Sequence, residues 1–329
     1  MRQRRVVTAL AIPLALAFVA ASCGSDDSSS DTDTGGETTE ATETETETTE
    51  GGDDGEDAAP ATVPDVDTSV APEEAEAVYG GTVTIGLEAD ATGLRPWEDS
   101  CSSPCYTIMR SIYDPLFDQT SEGTYEPFLA ESIESNEDFT VWTMTLRPDV
   151  TFHNGTLLTA QVIADMFPLQ QAGAAGQSAI TGANLVGVAA IDDLTVEYTL
   201  SAPNVAFKGA LATAPIGFPF DAAAAAADSA GYSTNPIGTG PFVIANRDQD
   251  NETVVERNPD YWYVDADGNQ LPFLDSVSFR PIPDEGTRLD ALLSGTTNAA
   301  QSLRQGTIRD ARNSTGIELI EFQGNSTGG

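Results

Sequence analysis

From residue 79 onward the sequence predicts a mixed α/β fold, and three observations carry that expectation. Alternating apolar residues mark strands, a 3.6-residue apolar period marks helices, and the two kinds of segment are interleaved along the chain. Thr82-Val-Thr-Ile-Gly-Leu87 alternates and reads as the first strand. Cys105 to Phe117 sets Cys105, Met109, Ile112, Tyr113 and Leu116 on one helical face, which predicts a helix across that span. Phe139 to Leu146 alternates again, with Trp142, Met144 and Leu146 in phase, and Asn154-Gly155 signals a tight turn. Thr159 is a good N-cap, so a helix is expected to start after it, although Val162 stands where a capping box would carry an acid. Gln171 to Gly182 has little pattern and is expected to be a mobile connection. Leu194 to Leu200 reads as a strand, and Asp221 caps a run of six alanines. Phe242–Ile244, Thr253–Glu256 and Val277–Ile282 read as strands, and Asp284–Leu293 as a helix. No internal repeat is found.

The N-terminal quarter follows different rules. Met1-Arg-Gln-Arg-Arg5 is a basic n-region, and Val6 to Ala21 is an uncharged apolar core. That core is short for a membrane span and fits a signal peptide. It runs into Ala20-Ala-Ser-Cys23-Gly24, which is similar to a bacterial lipobox with Ala20 in place of the usual leucine. Residues 1–22 are therefore expected to be a lipoprotein signal, with cleavage before Cys23 and lipidation of its thiol; an ordinary cleavage site is the alternative. Arg4-Arg5 leaves both general secretion and twin-arginine export open. Residues 24–78 contain no Lys, Arg, His, Trp, Tyr or Phe and hold 19 of the 52 acids. Such a segment cannot bury enough apolar area to offset its ordering entropy, so a disordered stalk is expected. A neutral coil of that length reaches about 40 Å, and like charges extend it. Without signal and stalk, 33 acids still face 11 bases. That balance argues against binding to nucleic acid or to anionic lipid, both of which need a basic face.

Several separated motifs in the folded part occur in a familiar order. They are Tyr125-Glu-Pro-Phe-Leu-Ala-Glu-Ser132, Thr143-Met-Thr-Leu-Arg-Pro-Asp-Val150 and Thr151-Phe-His-Asn-Gly-Thr-Leu-Leu-Thr-Ala160. Asn235-Pro-Ile-Gly-Thr-Gly-Pro-Phe242, Glu256-Arg-Asn-Pro-Asp-Tyr-Trp262, Leu271-Pro-Phe-Leu-Asp275 and Arg288-Leu-Asp-Ala-Leu-Leu-Ser-Gly295 follow. The ordered set, spanning roughly 80–300, resembles the family 5 extracellular solute-binding proteins, the receptors of peptide, oligopeptide and nickel ABC importers. The resemblance implies a type II periplasmic-binding-protein fold over 79–329. The first strand and the chain from about 187 to 322 would build the main lobe, with a smaller lobe inserted at about 113–182. It also implies a second large lobe beyond these residues, so the chain is expected to be a piece of a longer receptor; a genuine truncation is the alternative. Partners implied by resemblance are a peptide or small-molecule ligand and an ABC permease and ATPase. A monomer outside the membrane, held by lipid or free in the periplasm, is expected, with no cofactor.

Candidate site residues come from the loop Glu88 to Tyr106, which follows the first strand, where α/β sheets place ligand crevices. Trp97 and Tyr106 can supply an apolar wall and Glu88, Asp90 and Arg95 polar contacts. The competing reading is a surface loop whose Trp97 packs on the lobe, and family analogy leans toward the crevice. Cys101-Ser-Ser-Pro-Cys105 is an even thiol pair in an exported domain, and a disulfide is expected; zinc is the weaker alternative because no His lies near. Gly238-Thr-Gly240 lacks the Lys-Ser/Thr of a phosphate loop and reads as a turn. Asp265-Ala-Asp-Gly-Asn269 lacks the later acid of a calcium loop and reads as a hairpin turn. His153 is the lone histidine, no nucleophile elbow accompanies it, and a structural role is expected. The function expected is solute capture for an ABC importer. An inert truncated lipoprotein is the alternative, and a secreted hydrolase stands behind both.

Overall fold

The computed structural model describes residues 78–319, apart from 121 and 303. The signal peptide, Cys23 and the stalk lie outside the described residues.

The chain opens with β1 (Thr82–Leu87) and α1 (Ser103–Ile112), then β2 (Phe117–Gln119), β3 (Tyr125–Pro127), β4 (Ala130–Ser135) and β5 (Val141–Leu146). Two helices follow, α2 (Ala160–Ala172) and α3 (Ala174–Ala183), then β6 (Leu185–Ala190) and β7 (Thr195–Leu200). Next come α4 (Phe207–Thr213), α5 (Ala222–Ala227) and α6 (Ser229–Tyr232), then β8 (Phe242–Asp248), β9 (Glu252–Arg257) and β10 (Ser276–Pro281). The described chain ends with α7 (Glu285–Leu293), β11 (Ala299–Ala300) and α8 (Gln305–Arg312). The class is the mixed α/β one that the pattern predicts.

These elements build two main sheets. The first is mixed, in the order β11-β1-β10-β9-β8, with β1 parallel to β10 and β11 and the rest antiparallel. The second is antiparallel, in the order β4-β5-β7-β6. A small β2–β3 ladder stands apart. β7 pairs with β5 and β6 with β7, so the second sheet runs on to Leu200, past the boundary near 182 expected for an inserted lobe. The reason is register: Val196, Tyr198 and Leu200 bury the same face as Trp142, Met144 and Leu146.

Local chemistry accounts for several element ends. Thr159 Oγ1 accepts from Val162 N–H at 3.4 Å, Asp221 from Ala224 N–H at 2.9 Å and Asp284 from Thr287 N–H at 2.8 Å, each capping its helix. Gly155, at φ 81°, makes the Asn154-Gly155 turn, and Asn154 Nδ2 donates to Asp221 Oδ2 at 2.7 Å, tying the turn to the next cap. Asp265 accepts the Asp267 and Asn269 backbone N–H groups, which is the hairpin turn read from its sequence.

Two expectations are corrected. α1 ends at Ile112 rather than Phe117, because Asp114 precedes Pro115 and that position disfavours helix. Tyr113 and Leu116 stay buried, but outside the helix. Gln171 to Gly182 is not a loose connection: it completes α2 and forms α3, whose Ile180 and Ala183 are buried. Gly176 makes this possible by lying against the Gln170 backbone, where a Cβ would collide, and by donating its N–H to Trp97 O at 2.8 Å.

Candidate functional site

The loop after β1 is tied down along its length. Asp90 is closed by Arg247, with Nη1 3.6 Å away and both side chains buried. Arg247 also donates to Thr253 Oγ1 at 3.0 Å and to Ala91 O, while Asp90 accepts the backbone N–H groups of Ala91 and Asp250. A buried pair so fully bonded fixes the β8–β9 turn onto this loop. Arg95 grips Asp99 through Nε at 3.0 Å and Nη2 at 2.7 Å, and the bond to Asp99 raises the guanidinium's pKa further. Trp97 is only 4% exposed and packs on Phe220 at 4.4 Å and Tyr232 at 5.3 Å between ring centroids. These three candidates thus hold the loop rather than face an open crevice. Glu88 and Tyr106 are half-buried, and burial pushes the Tyr106 hydroxyl up. Cys101 and Cys105 are joined as a disulfide with Cα atoms 5.2 Å apart, closing the turn that leads into α1.

An open groove of about 1410 Å³ lies beside the β11 edge. Ser103 and Thr107 of α1 form one wall, Arg288 and Leu289 of α7 another, and Thr297 and Gln301 the approach and exit of β11. Gln301 Nε2 donates to Ser103 Oγ at 2.6 Å across it. Arg288 is buried and donates to the carbonyls of Gln301 and Ile282, so it braces α7 against the strand ends. The hydroxyl of Thr297 and the side-chain oxygen of Gln301 are buried without a protein partner. None of the five loop candidates lines this groove. Sequence reading passed over it because its walls come from segments almost 200 residues apart.

A second constellation surrounds Asp114. Its carboxylate is 3% exposed and accepts from Thr239 Oγ1 at 3.1 Å, Tyr261 OH at 3.0 Å and Trp262 Nε1 at 2.9 Å. Burial raises its pKa to about 6 against the opposing pull of those three donors. His153 lies across the same turn: Nδ1 accepts from Gly238 N–H at 3.3 Å and Nε2–H donates to Gly240 O at 3.0 Å. That pair of bonds selects the Nε2–H tautomer, and burial lowers the imidazole pKa. Both ring nitrogens are thus engaged by backbone groups of the 238–240 turn. Among the described residues no three His, Cys, Asp or Glu side chains come together as a metal site.

The profile of the bacterial extracellular solute-binding proteins, family 5, matches residues 124–329. The glutathione-binding protein GsiB of Pectobacterium atrosepticum is 30% identical over 220 residues, covering 66% of this chain and 41% of that protein. The nickel-binding periplasmic protein of Escherichia coli K12 is 30% identical over 187 residues, covering 56% of this chain and 34% of its own. The chain thus spans about two fifths or less of the length of these relatives. Among solved structures, the binding protein AgaA of A. tumefaciens R10, in complex with agropinic acid, superposes with a TM-score of 0.59. It is 29% identical and covers 66% of this chain and 43% of its own. With its match running over more than half its length, the chain belongs to the family 5 bacterial extracellular solute-binding proteins.

Proposed function

We propose that this protein captures peptides or similarly small solutes outside the membrane and hands them to the permease and ATPase of an ABC importer. The observation that carries the reading is the family match over 124–329. The groove between α1, α7 and β11 supports it, because it is open, mixed in polarity and lined by polar groups with free capacity. In this reading Ser103, Thr107 and Gln301 meet the solute, and Glu88 and Tyr106 stand outside the groove's lining. Trp97, Asp90 and Arg95 act indirectly, by holding the loop. Cys23 carries the lipid anchor, the acidic stalk spaces a monomeric domain from the membrane, and no cofactor takes part.

A thermal-shift panel of di- and tripeptides, glutathione and Ni²⁺ on the full chain tests the reading. A bound solute at a hundred times its Kd stabilises the native state by about 2.7 kcal/mol, worth roughly 5–10 °C in Tm here. A solute that is hydrolysed, with turnover abolished by His153→Ala, would replace solute capture with a hydrolase. The anchor is tested by Cys23→Ser, which should move the protein from the membrane fraction to the soluble one; unchanged membrane association contradicts lipidation.

A further inference from the structure

Two crossings join the sheets. The outgoing one, Tyr113 to Leu116, links α1 to β2, and the returning one, Ile237 to Pro241, leads into β8. They touch backbone to backbone: Gly240 N–H donates to Ile112 O at 2.8 Å, and a Cβ at Gly238 or Gly240 would collide with the Ile112 carbonyl. Asp114 sits at this junction. One of its oxygens accepts from Thr239 on the returning crossing and from Trp262 in the turn after β9, the other from Tyr261 in the same turn. Trp262 carries the connection on to the second sheet. Its ring meets Phe128 edge-on at 5.3 Å, and the Arg147 guanidinium lies 5.5 Å from its centroid. Arg147 Nε in turn donates to Phe128 O at 2.5 Å, on the two sides of the β4–β5 hairpin. One carboxylate thus reaches both crossings, the turn after β9 and the edge of the second sheet. An apolar side chain there would avoid the desolvation cost but could not hold three donors from two segments.

α1 ends two residues before Asp114 and begins at Ser103, whose hydroxyl meets Gln301 on the opposite side of the groove. Gly240, next to Thr239, bonds the last carbonyl of the helix. The position of the groove's α1 wall is therefore set from its far end.

We infer that Asp114 is a positioning residue for solute binding, which fixes α1 against β11 and α7 before any solute arrives. The inference rests on the proposed reading of the groove as the solute site. Hydrogen exchange on the solute-free full chain tests it, so its outcome does not depend on which solute the groove takes. Asp114→Ala should speed amide exchange in 103–112 and 297–302 by about tenfold, within the range that network substitutions produce, while the β5–β7 ladder stays protected. Asp114→Asn should restore wild-type exchange within about threefold, because its amide oxygen accepts from Thr239 and Trp262 and its NH₂ donates to the Tyr261 hydroxyl. The Trp262 indole N–H resonance should keep its hydrogen-bonded shift in the Asn variant and lose it in the Ala variant. If Asp114→Ala does not fold, Thr239→Val, which removes a single donor, should speed exchange in the same two segments to a smaller extent. Unchanged exchange in 103–112 and 297–302 in the tested variant, or acceleration that Asn fails to restore, would overturn the inference.

Discussion

A carboxylate buried among three neutral donors has a pH signature of its own. Asp114 titrates at about 6 in the folded chain against a reference of 3.8, with burial the largest cause and the Asp118 charge a minor one. A folded pKa above the unfolded one means that the native state holds the proton more tightly. The stability that proton brings is complete below about pH 4 and is lost as pH rises through about 6. The shift corresponds to about 2–3 kcal/mol. Asp114→Asn lacks this dependence, so the variant should gain on wild type as pH is raised from 4 to 7, by up to that amount, in parallel denaturant titrations. Equal pH profiles would show that the carboxylate is not desolvated. Trp97 gives a second test at this scale. As a core side chain packed on Phe220 and Tyr232, its replacement by Ala should cost about 3–5 kcal/mol with no solute present. A well-folded variant of unchanged Tm would return Trp97 to the crevice. The sequence could not assign Asp114 this place, since an isolated acid between Tyr113 and Pro115 reads as surface; only the return of Thr239, Tyr261 and Trp262 shows its environment.

At the scale of elements, what was legible in the sequence was what is local. Thr159, Asp221 and Asp284 announce their helices because a cap needs only a side chain and an N–H three residues on. Strands with strict alternation, such as Val141–Leu146 and Thr195–Leu200, were legible for the same reason. α3 was not, because two glycines dilute its apolar period and its place depends on backbone contact with Gln170 and Trp97. β11 was also invisible, since its partner β1 lies at the other end of the described chain, and β2 and β3, which pair with each other, are too short to show an alternation. The Cys101–Cys105 bridge belongs to this scale, because it stiffens the entry to α1, whose N-cap Ser102 makes no side-chain capping bond. Opening so short a loop with the paired Cys101→Ser and Cys105→Ser changes should cost about 2 kcal/mol. Titration of the denatured wild-type protein should find no thiol from this pair. Two titratable thiols at these positions would contradict the bridge.

For the whole molecule, two sheets set the architecture. The mixed sheet brings the β1 and β11 ends to the groove, and the antiparallel sheet is held to it through the Asp114 junction. The family was legible because its motifs are the turns and crossings that make this arrangement, from Phe152-His153 to Tyr261-Trp262. The groove was not, because Ser103 and Gln301 meet only in the fold. A chain of net charge −38 also repels anionic surfaces at long range, which leaves a lipid on Cys23, rather than a basic face, as the proposed hold on the membrane. Calorimetric titration of the full chain with peptides, glutathione and Ni²⁺, followed by mass analysis of the recovered solute, tests solute capture most directly. The account predicts one saturable site for one solute class, with the solute recovered unchanged. Chemical conversion of the solute, or the absence of saturable binding across all three classes, would contradict it.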